Sequence, residues 1–272
     1  MNRLTVFNGD AKPAWAPKIK IQIDHRSTSK TYLMPSALPP QFKEYFYVTE
    51  GFIDQNGCEN LISEFDRQAT HPVGVSGYGH SLDSEIGSFR TNAWSVDLAE
   101  QISLGLTAVL SDESSLHPTA CGSEPIFQNC KKELQRIPMN PHAYSLLGST
   151  PFMRFMKYPD GGRHVPHYDA PYNSAKQRYT TLMSWVIYLN TPIGTGGEFQ
   201  FIDDRQWHLS PWNKNKSDWD RMAQKEEVLA SIKPQAGKLL VFPHWLAHQV
   251  SLYSNDTASW RYIIRGDVAY GF

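Results

Sequence analysis

The run GGRHVPHYDAP at 161–171 places a histidine, His167, and an aspartate, Asp169, two positions apart. On a strand, successive side chains point to opposite faces, so His167 and Asp169 share a face and Tyr168 takes the other. Side by side, an imidazole and a carboxylate offer two adjacent ligands to a divalent transition metal. A His-x-Asp triplet is common, and its meaning depends on a third ligand from elsewhere in the chain. The run GKLLVFPHWLAHQV at 237–250 offers two histidines after an apolar strand. His248, with Val250 behind it, is the candidate third ligand; His244 reads as a neighbour of the site or a surface residue. Farther on, Arg261 and Arg265 interrupt an otherwise apolar strand. A cation facing a core is costly without an anionic partner. A ligand carboxylate held by a bidentate, charge-assisted pair would serve as one.

Two histidines and one carboxylate on one face of a metal leave three positions open, the coordination that non-haem Fe(II) oxygenases require. The same set could hold zinc for hydrolysis, but the sequence has no HExxH helix, and hydrolysis gives the strand arginine no task. Arg163, His164, Tyr172 and Asn173 flank the triplet and are the candidate substrate-side residues. His164 lies an odd number of positions from His167, so a regular strand turns it away.

These residues need a rigid frame, and the second half of the chain reads as strands. The runs are Phe152–Tyr158, Val165–Asp169, Thr180–Leu189, Gly197–Ile202, Lys238–Phe242 and Trp260–Val268, punctuated by PDGG at 159–162 and TPIGTGG at 191–197. Many short strands at this spacing predict a sandwich or jelly roll rather than a parallel sheet. Ahead of them, Tyr45–Phe52 reads as a strand. Asp54 reads as an N-cap for a helix with Leu61, Ile62 and Phe65 on one face. Asp97 and Glu100 have the form of a capping box, with Leu98, Ile102, Leu106 and Val109 as the apolar stripe behind it. The expected class is mainly β with flanking helices, the helices packed on a large sheet. Residues 1–42 read as an N-terminal arm or irregular first layer, and 43–272 as the domain. Within it, 43–150 is helical support, with a short helix near Asn129–Gln135, and 151–272 is the strand core. An insertion at about 203–228 carries Trp207, Trp212 and Trp219 and reads as a lid or a surface excursion.

Composition narrows the field. With 272 residues, 40% of them hydrophobic, the chain can bury one sizeable core. A formal net charge of -1 speaks against a nucleic-acid partner, which requires clustered Lys and Arg. No window approaches the roughly 18–20 apolar residues of a membrane span, and the N-terminus lacks the apolar stretch of a secretory signal. Cys58, Cys121 and Cys130 are few, odd in number and widely spaced. They read as buried or free thiols and suit a cytoplasmic location.

A resemblance accompanies this reading. The segments FMKYPDGGRHVPHYD (155–169), RYTTLMSWVIYLN (178–190), GGEFQF (196–201), GKLLVFPHWLAHQV (237–250) and WRYIIRGDV (260–268) occur in order. More weakly, DQNGCENLISEF (54–65) and GSFRTNAW (87–94) precede them. Together they resemble the 2-oxoglutarate/Fe(II) oxygenase superfamily, in its prolyl 4-hydroxylase-like branch. The resemblance implies a double-stranded β-helix with His167, Asp169 and His248 as iron ligands. It implies Arg261 as partner of the distal carboxylate of 2-oxoglutarate, where collagen-type relatives use lysine, and Tyr158 as a second contact to that cosubstrate. The stretch from His248 to Arg261 is longer than the usual spacing, which keeps Arg265 as a second candidate. The implied cofactors are Fe(II), 2-oxoglutarate and O2, with ascorbate as a reductant. The implied reaction is hydroxylation of an unactivated C–H bond, releasing succinate and CO2. Related halogenases have a small residue where this chain has Asp169, so hydroxylation is the expected outcome. The expected substrate is a small molecule such as a free amino acid. A prolyl residue in a protein is the alternative, and a non-catalytic jelly-roll binding module the remaining one.

Overall fold

The structure, a computed structural model, describes residues 15–17, 19–23, 47–75, 85–110, 145–174, 178–203, 221–244, 246–255, 257 and 259–271. In chain order the first elements are β1 (Tyr47–Thr49), α1 (Gln55–Asp66), β2 (His71–Gly74), β3 (Ile86–Trp94), α2 (Val96–Leu110) and β4 (Ser145–Tyr158). Next come β5 (His164–His167), β6 (Asn173–Ser174), β7 (Tyr179–Tyr188), β8 (Thr195–Gly196) and β9 (Phe199–Ile202). A 3-10 turn at Lys225–Glu227 leads into β10 (Val228–Ile232). The chain closes with β11 (Leu239–Pro243), β12 (His248–Val250), β13 (Tyr253–Ser254) and β14 (Arg261–Gly271).

A major sheet runs β1-β11-β7-β14-β4-β3-β2, with β6 on the end of β7, and a minor sheet runs β10-β9-β12-β5. The named pairings are antiparallel, and neighbours in space are often distant in sequence. This is the expected jelly-roll arrangement with helices outside the major sheet. One face of that sheet is apolar and meets the helices. Phe65 of α1 sits 5.7 Å from Phe155 of β4 and 5.9 Å edge-on from Tyr262 of β14. Trp15 closes on Phe155 at 4.6 Å, so part of the first forty residues packs into the core. Phe65 is fully buried, and truncating such a ring to alanine costs about 3–5 kcal/mol.

Asp54 caps α1 as its position predicts, accepting from the Gly57 N–H at 2.8 Å. The start of α2 differs from expectation. Ser95 caps it, its Oγ accepting from the Leu98 N–H at 3.2 Å, and Asp97 lies inside the first turn, where the positive helix end favours it. A hydroxyl directly before Val96 is the better-placed acceptor, so the Asp97–Glu100 pair is not the cap. Strands β2, β3, β6, β8, β10, β12 and β13 were not anticipated; β3 is hidden because Ser88, Arg90 and Asn92 break its apolar alternation. The expected helix near 129–135 and the three insertion tryptophans lie outside the described residues.

Candidate functional site

The opposite face of the major sheet looks across at the minor sheet, and here the predicted residues meet. Strand β12 pairs with β5 so that His248 stands directly opposite His167. Their rings are 4.2 Å apart, centroid to centroid. Asp169 lies just past the end of β5, with Oδ2 at 3.9 Å from His248 Nε2. His167, Asp169 and His248 each present a ligand atom within 4.8 Å of the others, and all three are buried.

Local backbone chemistry sets the tautomers. His167 Nδ1 lies 2.9 Å from the Val165 carbonyl, and His248 Nδ1 lies 2.8 Å from the Leu246 carbonyl. A carbonyl only accepts, so each Nδ1 carries the proton and each Nε2 keeps a free lone pair. The His248 Nε2 is buried and has no hydrogen-bond partner among the described residues. A metal ion held by the three side chains would supply that partner. Burial, followed by the charge of His248, lowers His167 to about 3, and burial lowers His248 to about 4. Both imidazoles are therefore neutral at neutral pH, as ligation requires.

Asp169 is held from two sides. Ser184 of β7 donates to Oδ2 at 2.5 Å, and Arg265 of β14 pairs with Oδ1 at 2.7 Å. Burial alone would raise this carboxyl, but Arg265 and then the histidines hold it well below its ordinary value. Arg265 is thus committed to a metal-ligand carboxylate. Arg261 is not. It is completely buried, and its Nε, Nη1 and Nη2 have no hydrogen-bond partner among the described residues. The guanidinium lies over the Tyr158 ring at 4.5 Å and near the Tyr188 ring at 5.4 Å. The Tyr188 hydroxyl is buried and meets no geometric hydrogen-bond partner among the described residues, and burial pushes it up to about 12 although the neighbouring Arg261 guanidinium pulls it down. A buried guanidinium fork beside a buried phenol donor is short of one acceptor, and a carboxylate fits. Gly197 makes room for it: its φ is +71°, and a Cβ there would lie 3.0 Å from Arg261 Cδ.

Of the flanking candidates, His164 departs from its expected direction. Its ring lies 4.1 Å from that of His167, and its Nδ1 is 2.5 Å from the Val75 carbonyl. The reason is a bulge. His248 faces His167 while Val250 faces His164, so two steps on β12 match three on β5 and the alternation slips by one. Burial, then the charge of His167, lowers His164 to about 3. Arg163 is bound to Glu85 at 2.5 Å. The Tyr172 N–H donates to Thr181 Oγ1 at 2.8 Å, and Asn173 begins β6. His244 is buried, with Nε2 at 3.3 Å from Asp267 Oδ1. Ser184 and Tyr188 are contributors the sequence reading passed over. Their four-residue spacing puts both on the site-facing side of β7, a period-two pattern already present in the sequence.

Residues 153–266 match the sequence profile described as the 2OG-Fe(II) oxygenase superfamily. That match falls on the strand-rich part of the chain, the part that forms the jelly roll and brings the His-Asp-His cluster together. Among solved structures it is similar to a viral collagen prolyl hydroxylase from Paramecium Bursaria Chlorella virus-1, in complex with 2OG. That likeness has 14% identity over 84% of this chain and 97% of that one, with a TM-score of 0.45. A prolyl-4-hydroxylase from Pseudomonas putida gives 14% identity over 84% and 95%, with a TM-score of 0.47. HygX from Streptomyces hygroscopicus, with nickel and 2-oxoglutarate bound, gives 13% over 86% and 87%, with a TM-score of 0.44. No curated protein sequence matches the chain significantly. The protein is an Fe(II)- and 2-oxoglutarate-dependent oxidoreductase by its donor set and superfamily. Among the described residues no helix is long and apolar enough to cross a membrane.

Proposed function

We propose that the protein hydroxylates an unactivated C–H bond, with His167, Asp169 and His248 holding the iron and Arg261, Tyr188 and Tyr158 receiving 2-oxoglutarate. The observation that carries this reading is the buried Arg261 guanidinium, without a hydrogen-bond acceptor among the described residues, on the same inner face as the three converging ligands. Bound there, Fe(II) and 2-oxoglutarate supply the chemistry that places one atom of O2 in the substrate and one in succinate, with loss of CO2. The chain's own contribution is positional. The carbonyls of Val165 and Leu246 fix the imidazoles, Ser184 and Arg265 fix Asp169, and the aromatic walls at Phe199 and Phe242 keep water from His248.

For the substrate, a peptidyl proline stands ahead of the free amino acid that the sequence reading put first. Its support is the prolyl 4-hydroxylase-like run of segments from 155 to 268, and two of the similar structures are named as prolyl hydroxylases. The small-molecule reading stays second; Arg154 and Arg90, which have no acidic partner among the described residues, suit a carboxylate from either source. A cytoplasmic setting, with neither nucleic acid nor membrane as partner, completes the proposal; near-neutral charge and the buried free thiol of Cys58 support it. Succinate release measured with proline-containing peptides and with free amino acids separates the substrates. Stimulation by amino acids alone overturns the peptidyl order. Failure of the anaerobic Fe(II) protein to bind 2-oxoglutarate overturns the cosubstrate assignment.

A further inference from the structure

Beyond Arg265 the site-facing side of the major sheet stays cationic. Arg154 of β4 stands directly opposite Arg265, and Asn92 of β3 stands directly opposite Arg154. Arg90 lies two residues from Asn92 on the same face of β3, with His71 of β2 across from it. Arg154 rests on the Phe152 ring at 5.0 Å and has no hydrogen bond or ion pair among the described residues. Arg90 Nε reaches His71 Nε2 at 3.3 Å and has no acidic partner there. The Asn92 Oδ1 is buried and unpartnered among the described residues. Both arginines are half-buried, screened from water without being neutralised.

Among the described residues the nearby acids are already committed. Asp169 is bound by Arg265 and Ser184, and Asp267 faces His244. Loading the site does not change the balance, because 2-oxoglutarate is matched by the metal and Arg261. Burial and then the charge of Arg265 lower both Arg154 and Arg90, and at Arg154 the carboxylates of Asp267 and Asp169 offset only part of this. We propose that Arg154, assisted by Arg90 and Asn92, is the subsite that binds a carboxylate of the primary substrate. This deepens the hydroxylase reading and rests on it. The guanidinium forks accept a planar carboxylate in a bidentate manner, and the Asn92 amide adds a donor or acceptor beside it. Arg154 is one strand away from the arginine that grips Asp169. The bound carboxylate therefore sits within about one to two strand spacings, roughly 5–10 Å, of the reacting carbon. The acid belongs either to a free amino acid or to an acidic residue beside the hydroxylated position of a peptide; the chemistry of capture is the same.

Calorimetric titration under argon, with the protein loaded with Mn(II) and saturating 2-oxoglutarate, tests the subsite. The probes are the free amino acids and blocked proline tetrapeptides with aspartate or asparagine next to the proline. The expected result is binding of carboxylate-bearing probes only, weakened about 30-fold or more by Arg154→Gln, with 2-oxoglutarate affinity unaltered. Arg90→Gln gives a smaller loss in the same direction and serves if the first variant misfolds. Binding of free acids identifies a metabolite source, and selective binding of the aspartate peptide identifies a protein source. The subsite is overturned if no acid binds, if the asparagine peptide binds as well as the aspartate one, or if both variants retain wild-type affinity. The hydroxylase reading fails separately, through loss of 2-oxoglutarate binding itself.

Discussion

Replacing Arg261 by methionine should stabilise the empty protein while abolishing its response to 2-oxoglutarate. The guanidinium is completely buried and unmatched by any acid among the described residues. An uncompensated buried charge costs several kcal/mol, and replacing buried ions by apolar groups of similar volume has been worth about 1–4 kcal/mol. Against this stand the cation–π contacts to Tyr158 and Tyr188, together about 2 kcal/mol when desolvated. The balance for Arg261→Met is a gain of at most about 2 kcal/mol, reached where removal of the buried charge outweighs the lost ring contacts. At about 2–4 °C per kcal/mol for a domain of this size, Tm of the metal-free, cosubstrate-free protein rises by up to about 8 °C. Binding moves the other way. Removing one partner of a buried charge pair costs about 2–5 kcal/mol, so 2-oxoglutarate affinity falls at least about 30-fold. At a concentration about 100 times its Kd, 2-oxoglutarate stabilises the wild type by about 2.7 kcal/mol, and the variant should lose most of that. Calorimetric unfolding of both proteins, with and without 2-oxoglutarate in the presence of Mn(II), reads all four states. An Arg261→Met protein that melts lower when empty and still responds fully to 2-oxoglutarate would refute the reasoning. The guanidinium would then be a structural cation with a partner of its own.

Other consequences are simpler to read. Ser184→Ala removes the hydrogen bond to Asp169 Oδ2 but leaves all three ligands; metal affinity measured by competition with a chelating dye should fall about 10–100-fold with little change in Tm of the metal-free protein. Gly197→Ala places a side chain at φ +71° against Arg261 Cδ; it should cost about 1–2 kcal/mol of stability by denaturant unfolding and weaken 2-oxoglutarate binding as well. Burial raises the Cys58 thiol to about 11. In a Cys121→Ser/Cys130→Ser protein, a thiol reagent at pH 8 should therefore label nothing until the chain is unfolded. Since the folded value lies above the unfolded one, Cys58 contributes no pH dependence below about 9 and destabilises the fold only as pH rises from there toward 11.

The parts of the fold that were legible are those whose pattern has one cause. β7 and β11 are buried along their length; β11 reads as an uninterrupted apolar run, and β7 as a mainly apolar one broken by Thr180, Thr181 and Ser184. α1 carries its cap and its stripe within a single stretch of sequence. β3 was illegible because its two faces do opposite things. Thr91 and Ala93 are buried while Arg90 and Asn92 look into the site, so a strand that serves function resembles a polar loop. The same conflict explains Arg261 and Arg265. A strand at the centre of the major sheet, packed between β7 and β4, has no structural reason to carry two cations on one face. Their presence was therefore the best single clue to ligand chemistry.

What composition and alternation could not supply was the assignment of partners. Arg261 and Arg265 are separated by four residues and point the same way, so the sequence put Arg261 first as the anchor for 2-oxoglutarate and kept Arg265 as a second candidate. Register supports the proposed order. Arg265 stands opposite Val186 and Arg154, at the level of Asp169, and is consumed by that carboxylate. Arg261 stands opposite Tyr158, two periods of the alternation nearer the strand's start, where it meets the Tyr158 and Tyr188 rings and Gly197. His164 teaches the converse. Its parity was read correctly for a regular strand, and one extra residue in β5 reversed the answer. Bulges of this kind gather where a strand must aim several side chains at one point, so alternation is least trustworthy beside the ligands it is used to find.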